Sequence, residues 1–127
     1  MAKYKPIDCG ALAVGIVNEV MQWDLSPGSV HFSASAQEHA DDRHPEDYAL
    51  CVKNIAHILR APDWVGQGPK DRDGFVMVRR ISSAKAILLV AIKLKRDDQG
   101  RYVVASTYRV TQHDADMRVS KGYWLRV

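Results

Sequence analysis

The spacing of apolar positions changes along this chain, and the change divides it in two. Over residues 8–23, Leu12, Ile16, Val20 and Trp23 recur at helical spacing, with Asp8 available as an N-cap and no proline in between. That pattern predicts an amphipathic helix. Ser26-Pro27-Gly28 ends it with turn chemistry, and Val30-His31-Phe32 is an apolar stretch that fits a strand stub or a loop. Ser33 and Ser35 open a stretch running to Arg43 that has good helix formers but almost no large apolar side chain, which predicts a short exposed helix or a turn. His44-Pro45 breaks the chain. Pro45 suits the first position of a new helix and Glu46 and Asp47 suit its positive first turn, while Tyr48, Val52, Ile55 and Leu59 give it a buried stripe as far as Arg60.

Residues 61–66 end that helix, and residues 66–74, with three glycines and a proline, read as loop. Beyond them the period shortens. Residues 75–81 and 85–95 are rich in Val, Ile and Leu, and residues 101–111 alternate in the manner of a half-buried strand. The connectors at 82–84 and 96–100 have hairpin lengths, so the three strands form an antiparallel meander, to which residues 119–127 add a fourth. The expected fold is α+β. Helices from residues 1–65 pack on one face of an antiparallel three- to four-stranded sheet from residues 70–127, all in a single domain. Strict alternation places Tyr102, Val104, Ser106, Tyr108 and Val110 on one face of the third strand and Val103, Ala105, Thr107, Arg109 and Thr111 on the other.

Composition narrows the class without naming a function. The chain has 127 residues, 46% hydrophobic and 26% charged, close to the average for folded domains. Its longest apolar run, residues 86–92, is far short of the ~20 residues that cross a bilayer. The first six residues lack an apolar segment behind their charges, so no secretory signal is expected and the cytoplasm is the expected site of action. Cys9 and Cys51 match no zinc or redox spacing and read as core thiols. The net charge of +3 hides a sharper division: residues 1–65 hold 5 basic and 9 acidic side chains, net −4, and residues 66–127 hold 13 and 6, net +7. A cationic half of this kind can neutralise phosphates, although lysines and arginines also protect sheet edges from pairing with other chains.

Candidate chemistry gathers around His39-Ala40-Asp41-Asp42-Arg43-His44, with His31 upstream and Glu46 and Asp47 after it. Imidazoles exchange protons near neutral pH, so His39 and His44 form a candidate acid–base pair, set against the alternative of exposed histidines in a connector. His57, inside a helix, reads as structural, and His113 falls in a loop. Metal ligation by His39, Asp41, Asp42, His44 and Asp47 has poor geometry, because positions five apart on a helix are separated by ~140°, and no metal or other cofactor is expected. Ser106 and Tyr108 project together from one strand and suit a phosphate oxygen and a nucleotide. Lys85, Lys93, Arg79 and Arg109 are available cations.

This order of features resembles the phage-encoded branch of the barnase, EndoU, colicin and RelE-like nuclease superfamily. The likeness rests on a His-x4-His cluster, a helix ending in Pro62-Asp63-Trp64-Val65-Gly66, a Gly/Pro loop, and a basic meander ending in Val103-Val104-Ala105-Ser106-Thr107-Tyr108, and it covers about residues 30–112. The resemblance implies helices on a small antiparallel sheet and metal-independent RNA cleavage by a toxin or effector, with tRNA among the targets and a separate neutralising immunity or antitoxin protein. It places the family's histidines at His39 and His44, its strand hydroxyl and aromatic at Ser106 and Tyr108, and its cation at Lys93 or Lys85, with Thr107 competing for the hydroxyl role. His39 is then the base that takes the ribose 2′-OH proton, His44 the acid that protonates the departing 5′-oxygen, and Lys93 the group that stabilises charge. Lys85, Arg79, Thr107 and Arg109 are assigned to RNA contacts. The competing readings are a non-catalytic RNA- or protein-binding module of the same architecture and a metal-dependent hydrolase using the His/Asp cluster.

Overall fold

A computed structural model describes residues 3–127. The elements run β1 (Ile7–Ala11), α1 (Val14–Met21), β2 (Ser29–Phe32), α2 (Ala34–Arg43), α3 (Tyr48–Arg60), β3 (Trp64–Gly66), β4 (Gly74–Ile81), a 3-10 turn (Ser82–Ala84), β5 (Ala86–Lys93), β6 (Tyr102–Val110), α4 (Gln112–Ser120) and β7 (Trp124–Arg126). The fold is α+β, as expected, but the sheet has seven strands in the order β1-β2-β6-β5-β4-β3-β7. The β4-β5-β6 meander is present with hairpin connections. On its β6 side β2 adds in parallel, with Val30 opposite Tyr102, and β1 adds antiparallel to β2. On its β4 side lie β3 and then β7.

The helices are interleaved with the strands. They are not confined to the N-terminal half, and the two halves share one sheet. Each departure from expectation has a local cause. The helix predicted over 8–23 begins only at Val14, because Gly10 sits at φ +89° and its amide donates to the Asp8 carboxylate, a turn that helical backbone does not allow. Leu12 is still buried, but from a loop. Gln22, in the left-handed region at φ 56°, stops the helix short of Trp23. In place of a strand across 119–127, α4 takes residues up to Ser120 and β7 is three residues long.

The sheet carries helices on both faces, not one. Under α1 and α3, Phe75, Met77, Leu88, Val90, Ile92, Tyr102 and Val104 pack with Val17, Cys51, Ile55, Ile58 and Leu59. On the reverse face Val78, Ile87, Leu89 and Val110 pack with Ala115 of α4 and with Trp124. β5 feeds both layers, which is why it reads as an unbroken apolar run. A bulge in β6 corrects the face assignment made by simple alternation: Ala91 pairs with Ser106 but the next residue, Ile92, pairs with Val104, so Ala105 is extra. Tyr102 and Val104 therefore face the α1/α3 layer, whereas Ser106, Tyr108 and Val110 face the α4 side.

Two consequences are measurable. A Cβ at Gly66 would collide with the Tyr123 carbonyl and come within 2.6 Å of the Trp124 ring, so Gly66→Ala is expected to cost about 1–3 kcal/mol in urea unfolding as the β3–β7 pairing is forced apart. Burial, assisted by the Asp8 charge, pushes the Cys9 thiol up to about 11, and burial also raises that of Cys51. The folded state thus holds these thiols neutral after the unfolded chain has begun to ionise them. Their contribution is complete below the ordinary thiol range and is lost as pH climbs toward 11. Urea unfolding of Cys9→Ala compared with the parent between pH 8 and 10.5 is expected to show a shallower decline in the variant.

Candidate active site

β2 ends at Phe32, and from there α2 continues along the edge of β6 that β2 leaves open. Ser33 starts the helix by accepting the Ala36 amide at 3.1 Å. A ten-residue helix advances ~15 Å, about the rise of four or five strand residues, so α2 carries the chain as far as the second half of β6. His44 is its C-cap, donating its amide to Ala40 and accepting those of Asp47 and Tyr48 at its carbonyl. The turn through Pro45 and Glu46 delivers Asp47, only 7% exposed, against the strand edge. There its carboxylate accepts the Arg109 amide at 3.2 Å and lies 4.0 Å from the Arg109 guanidinium.

This fastening places the His44 ring on Tyr108, with centroids 4.8 Å apart and planes inclined by 24°. Tyr108 in turn lines a cleft of about 600 Å³ between α4 and the loop before β4, a volume in the range of small-molecule sites. β4, β5 and β6 supply the cleft's floor, where Gly74, Ala91 and Ala105 have little or no side chain. Lys70, Lys93, Arg118 and Lys121 ring the cleft with positive charge, against Asp71, Asp73 and Asp114. Tyr123 and Met117 complete the wall from the C-terminal side.

Of the residues singled out from sequence, the structure brings His44 and Tyr108 into contact and puts Lys93 in the same cleft. Ser106 shares the Tyr108 face, opposite Ala91. His39 stands exposed on α2, ~140° around a helix from a position five residues on. Thr107 is fully buried on the other face and gives its hydroxyl to the Leu89 carbonyl, whereas Ser106 is partly exposed. Arg79 also faces the α1/α3 side, donating to the Ala61 carbonyl at 2.6 Å beside Asp63. Lys85 ends the 3-10 turn in a left-handed conformation at φ 51°. Arg109 is committed to Asp47. His57 is exposed on α3, and His113 lies in α4, not in a loop.

Sequence reasoning missed the cleft's outer wall. Lys70 falls in the expected loop, Lys121 in the expected fourth strand, and Arg118 just before it; only the cationic excess of the second half points toward them. His31 pairs with Val103, which pairs with Lys93, so it shares the cleft's face of the sheet. Among the described residues, His44, Glu46 and Asp47 offer ligand atoms within 4.8 Å of one another. That group differs from the set weighed from sequence, in which Asp41 instead accepts the Tyr4 hydroxyl at 2.6 Å.

A family model described as phage-Barnase-EndoU-ColicinE5/D-RelE like nuclease3 matches residues 12–117. No curated protein and no solved structure gives a match. No helix among the described residues is long and apolar enough to cross a membrane.

Removing the carboxylate that positions His44 leaves the Arg109 amide without its partner. Asp47→Ala is expected to lower stability by about 1.5–3 kcal/mol in chemical unfolding, the range for hydrogen bonds to a charged group. The His44 ring protons should lose the upfield NMR shift imposed by the Tyr108 ring.

Proposed function

Because the chain belongs to the family of phage-Barnase-EndoU-ColicinE5/D-RelE like nucleases, we propose that it is a metal-independent endoribonuclease that cuts RNA through its own 2′-hydroxyl. The observation that carries this reading is the stacking of His44 on Tyr108, which lines a cleft together with Lys93. A proton-transfer group, a phenol and a cation are what transesterification at phosphorus uses.

In the proposed reaction a base takes the 2′-OH proton and the 2′-oxygen bonds to phosphorus. The bond to the 5′-oxygen breaks, and an acid protonates that oxygen as it leaves, giving a 2′,3′-cyclic phosphate and a 5′-hydroxyl. The nucleophile belongs to the substrate, so no activated water enters the step. In-line displacement places attacking and leaving oxygens on opposite sides of phosphorus, which calls for two proton-transfer groups. We assign the acid to His44, held by Asp47 and Tyr108, and the base to His39 on the same helix. Lys93 balances the charge that develops on the phosphate oxygens, while Ser106 and Tyr108 contact the phosphate or the adjoining base. DNA lacks the attacking hydroxyl and is not a substrate. Such an activity is hazardous to the RNA of the cell in which it acts, so we place the protein as a toxin or effector held in check by a neutralising partner, with tRNA among its targets.

Total RNA incubated with the protein in EDTA is expected to yield fragments ending in cyclic phosphate, with a matched DNA left intact. His44→Ala and His39→Ala should each lower the rate by on the order of 10² or more. Binding without cleavage would favour a non-catalytic RNA-binding module, and cleavage abolished by EDTA would favour a metal at His44, Glu46 and Asp47. Full activity in both histidine variants would remove them from the mechanism.

A further inference from the structure

The family match ends at residue 117, inside α4. The cleft does not end there, because Arg118, Lys121, Tyr123 and Trp124 form its far wall. These residues come from one tightly built turn. The Tyr123 amide donates to the Arg118 carbonyl at 2.9 Å and the Gly122 amide to the Val119 carbonyl at 3.0 Å, with Gly122 at φ +76°. That pair of bonds is a Schellman motif, which fixes the direction in which the chain leaves a helix. Trp124 is buried, and the Arg118 guanidinium lies 5.5 Å from its ring centroid, which ties this cation to the core. The turn thus sets the backbone of Arg118, Lys121 and Tyr123 along one wall of the cleft, opposite Lys93 and Tyr108 across a floor of small side chains, with the Arg118 side chain itself held on Trp124.

We infer that the Arg118–Tyr123 turn is the wall of a subsite for a nucleotide next to the scissile phosphate, and that it selects which RNA position is cut. The inference rests on the ribonuclease reading and extends it. Arg118 and Lys121 engage a flanking phosphate, and Tyr123 offers a flat apolar surface to its base. Stacking of this kind accepts any base but differs in strength among them. Chemistry at the scissile phosphate belongs to groups on the far side of the cleft, so the wall acts through binding and register.

The test uses a fluorescein-labelled, fully 2′-O-methylated RNA oligonucleotide of mixed sequence, which binds but has no nucleophile, followed by anisotropy over a KCl series. Replacing both cations, Arg118→Ala with Lys121→Ala, is expected to raise Kd roughly tenfold and to flatten the slope of log K against log salt by about 1.4, the effect of losing two phosphate contacts on a single strand. Tyr123→Ala should raise Kd roughly fivefold or more with little change in slope. On cleavable RNA the loss should fall mainly in KM, with kcat within about twofold, and mapping of fragment ends should show altered preferred positions. Lys121→Gln, at an exposed position, carries the same expectation at half the slope change and keeps the test open if the double variant fails to melt cooperatively. Variants that bind with parental affinity and slope and cut at the same positions would overturn the subsite while leaving the ribonuclease reading intact. Wall-dependent binding in a chain that cuts no RNA would leave the wall as an RNA-binding surface and overturn both the catalytic reading and the wall's part in choosing the cleavage position.

Discussion

On the side away from β5, the second half of β6 has no strand beside it once β2 has ended, and backbone groups at such an edge must find partners elsewhere or remain open to other chains. Asp47 meets part of that demand by taking the Arg109 amide on a carboxylate that is itself almost wholly buried. A charge in that position is stable only while its hydrogen bonds and its cation are in place, so the contact fixes the α2–α3 junction to one point on the sheet. His44 is three residues away, on the other side of a turn stiffened by Pro45. Its stacking on Tyr108 follows from this fastening, and joins an imidazole of the helical layer to a residue of the cleft lining.

The β6 bulge does the complementary work from the sheet side. By inserting Ala105 it turns Ser106 and Tyr108 toward the α4 face, while Tyr102 and Val104 before it remain in the principal core. One strand therefore anchors the hydrophobic layer with its first half and presents Tyr108 to the cleft with its second. Thr107 shows the cost of a one-residue slip: it lies between Ser106 and Tyr108 in the sequence, yet it is buried on the opposite face with its hydroxyl spent on Leu89. A second hydroxyl beside the first is no substitute when the pleat sends it into the core.

Much of this architecture is legible in the chain, and the parts that are not have common physical causes. The β4-β5-β6 meander shows in long Val/Ile/Leu runs with hairpin connectors, and α3 shows in its apolar stripe. β1, β3 and β7 are three to five residues long, too short to display a period, and are specified by the partners they pair with. Periodicity over 8–23 misleads because Leu12 is buried from a loop and sits at helical spacing by coincidence, while the turn chemistry of Asp8 and Gly10 lies beneath that pattern. Among site residues, His44, Lys93 and Tyr108 stand out by chemical type. The geometry that joins the first to the last depends on Asp47, which in sequence is simply one acid in an acidic stretch, and no alternation rule announces a bulge.

The uneven charge of the two halves acquires a spatial meaning in this fold. Every lysine and arginine lining the cleft comes from the cationic half, residues 66–127, whereas His39, His44 and Asp47 come from the acidic half. An imidazole crowded by lysines would resist taking a proton, and a cation surrounded by carboxylates would lose its hold on phosphate. On the ribonuclease proposal, drawing the cleft's cations from one half and the candidate proton-transfer groups from the other satisfies both requirements. The positive charge is spread across a wall and floor formed by loop, sheet and α4, while His44 sits at the junction where α2 hands the chain to α3. On the same proposal, the division would let the two properties vary separately: substitutions along the cationic wall would alter how RNA is held, and those at the junction what happens to it.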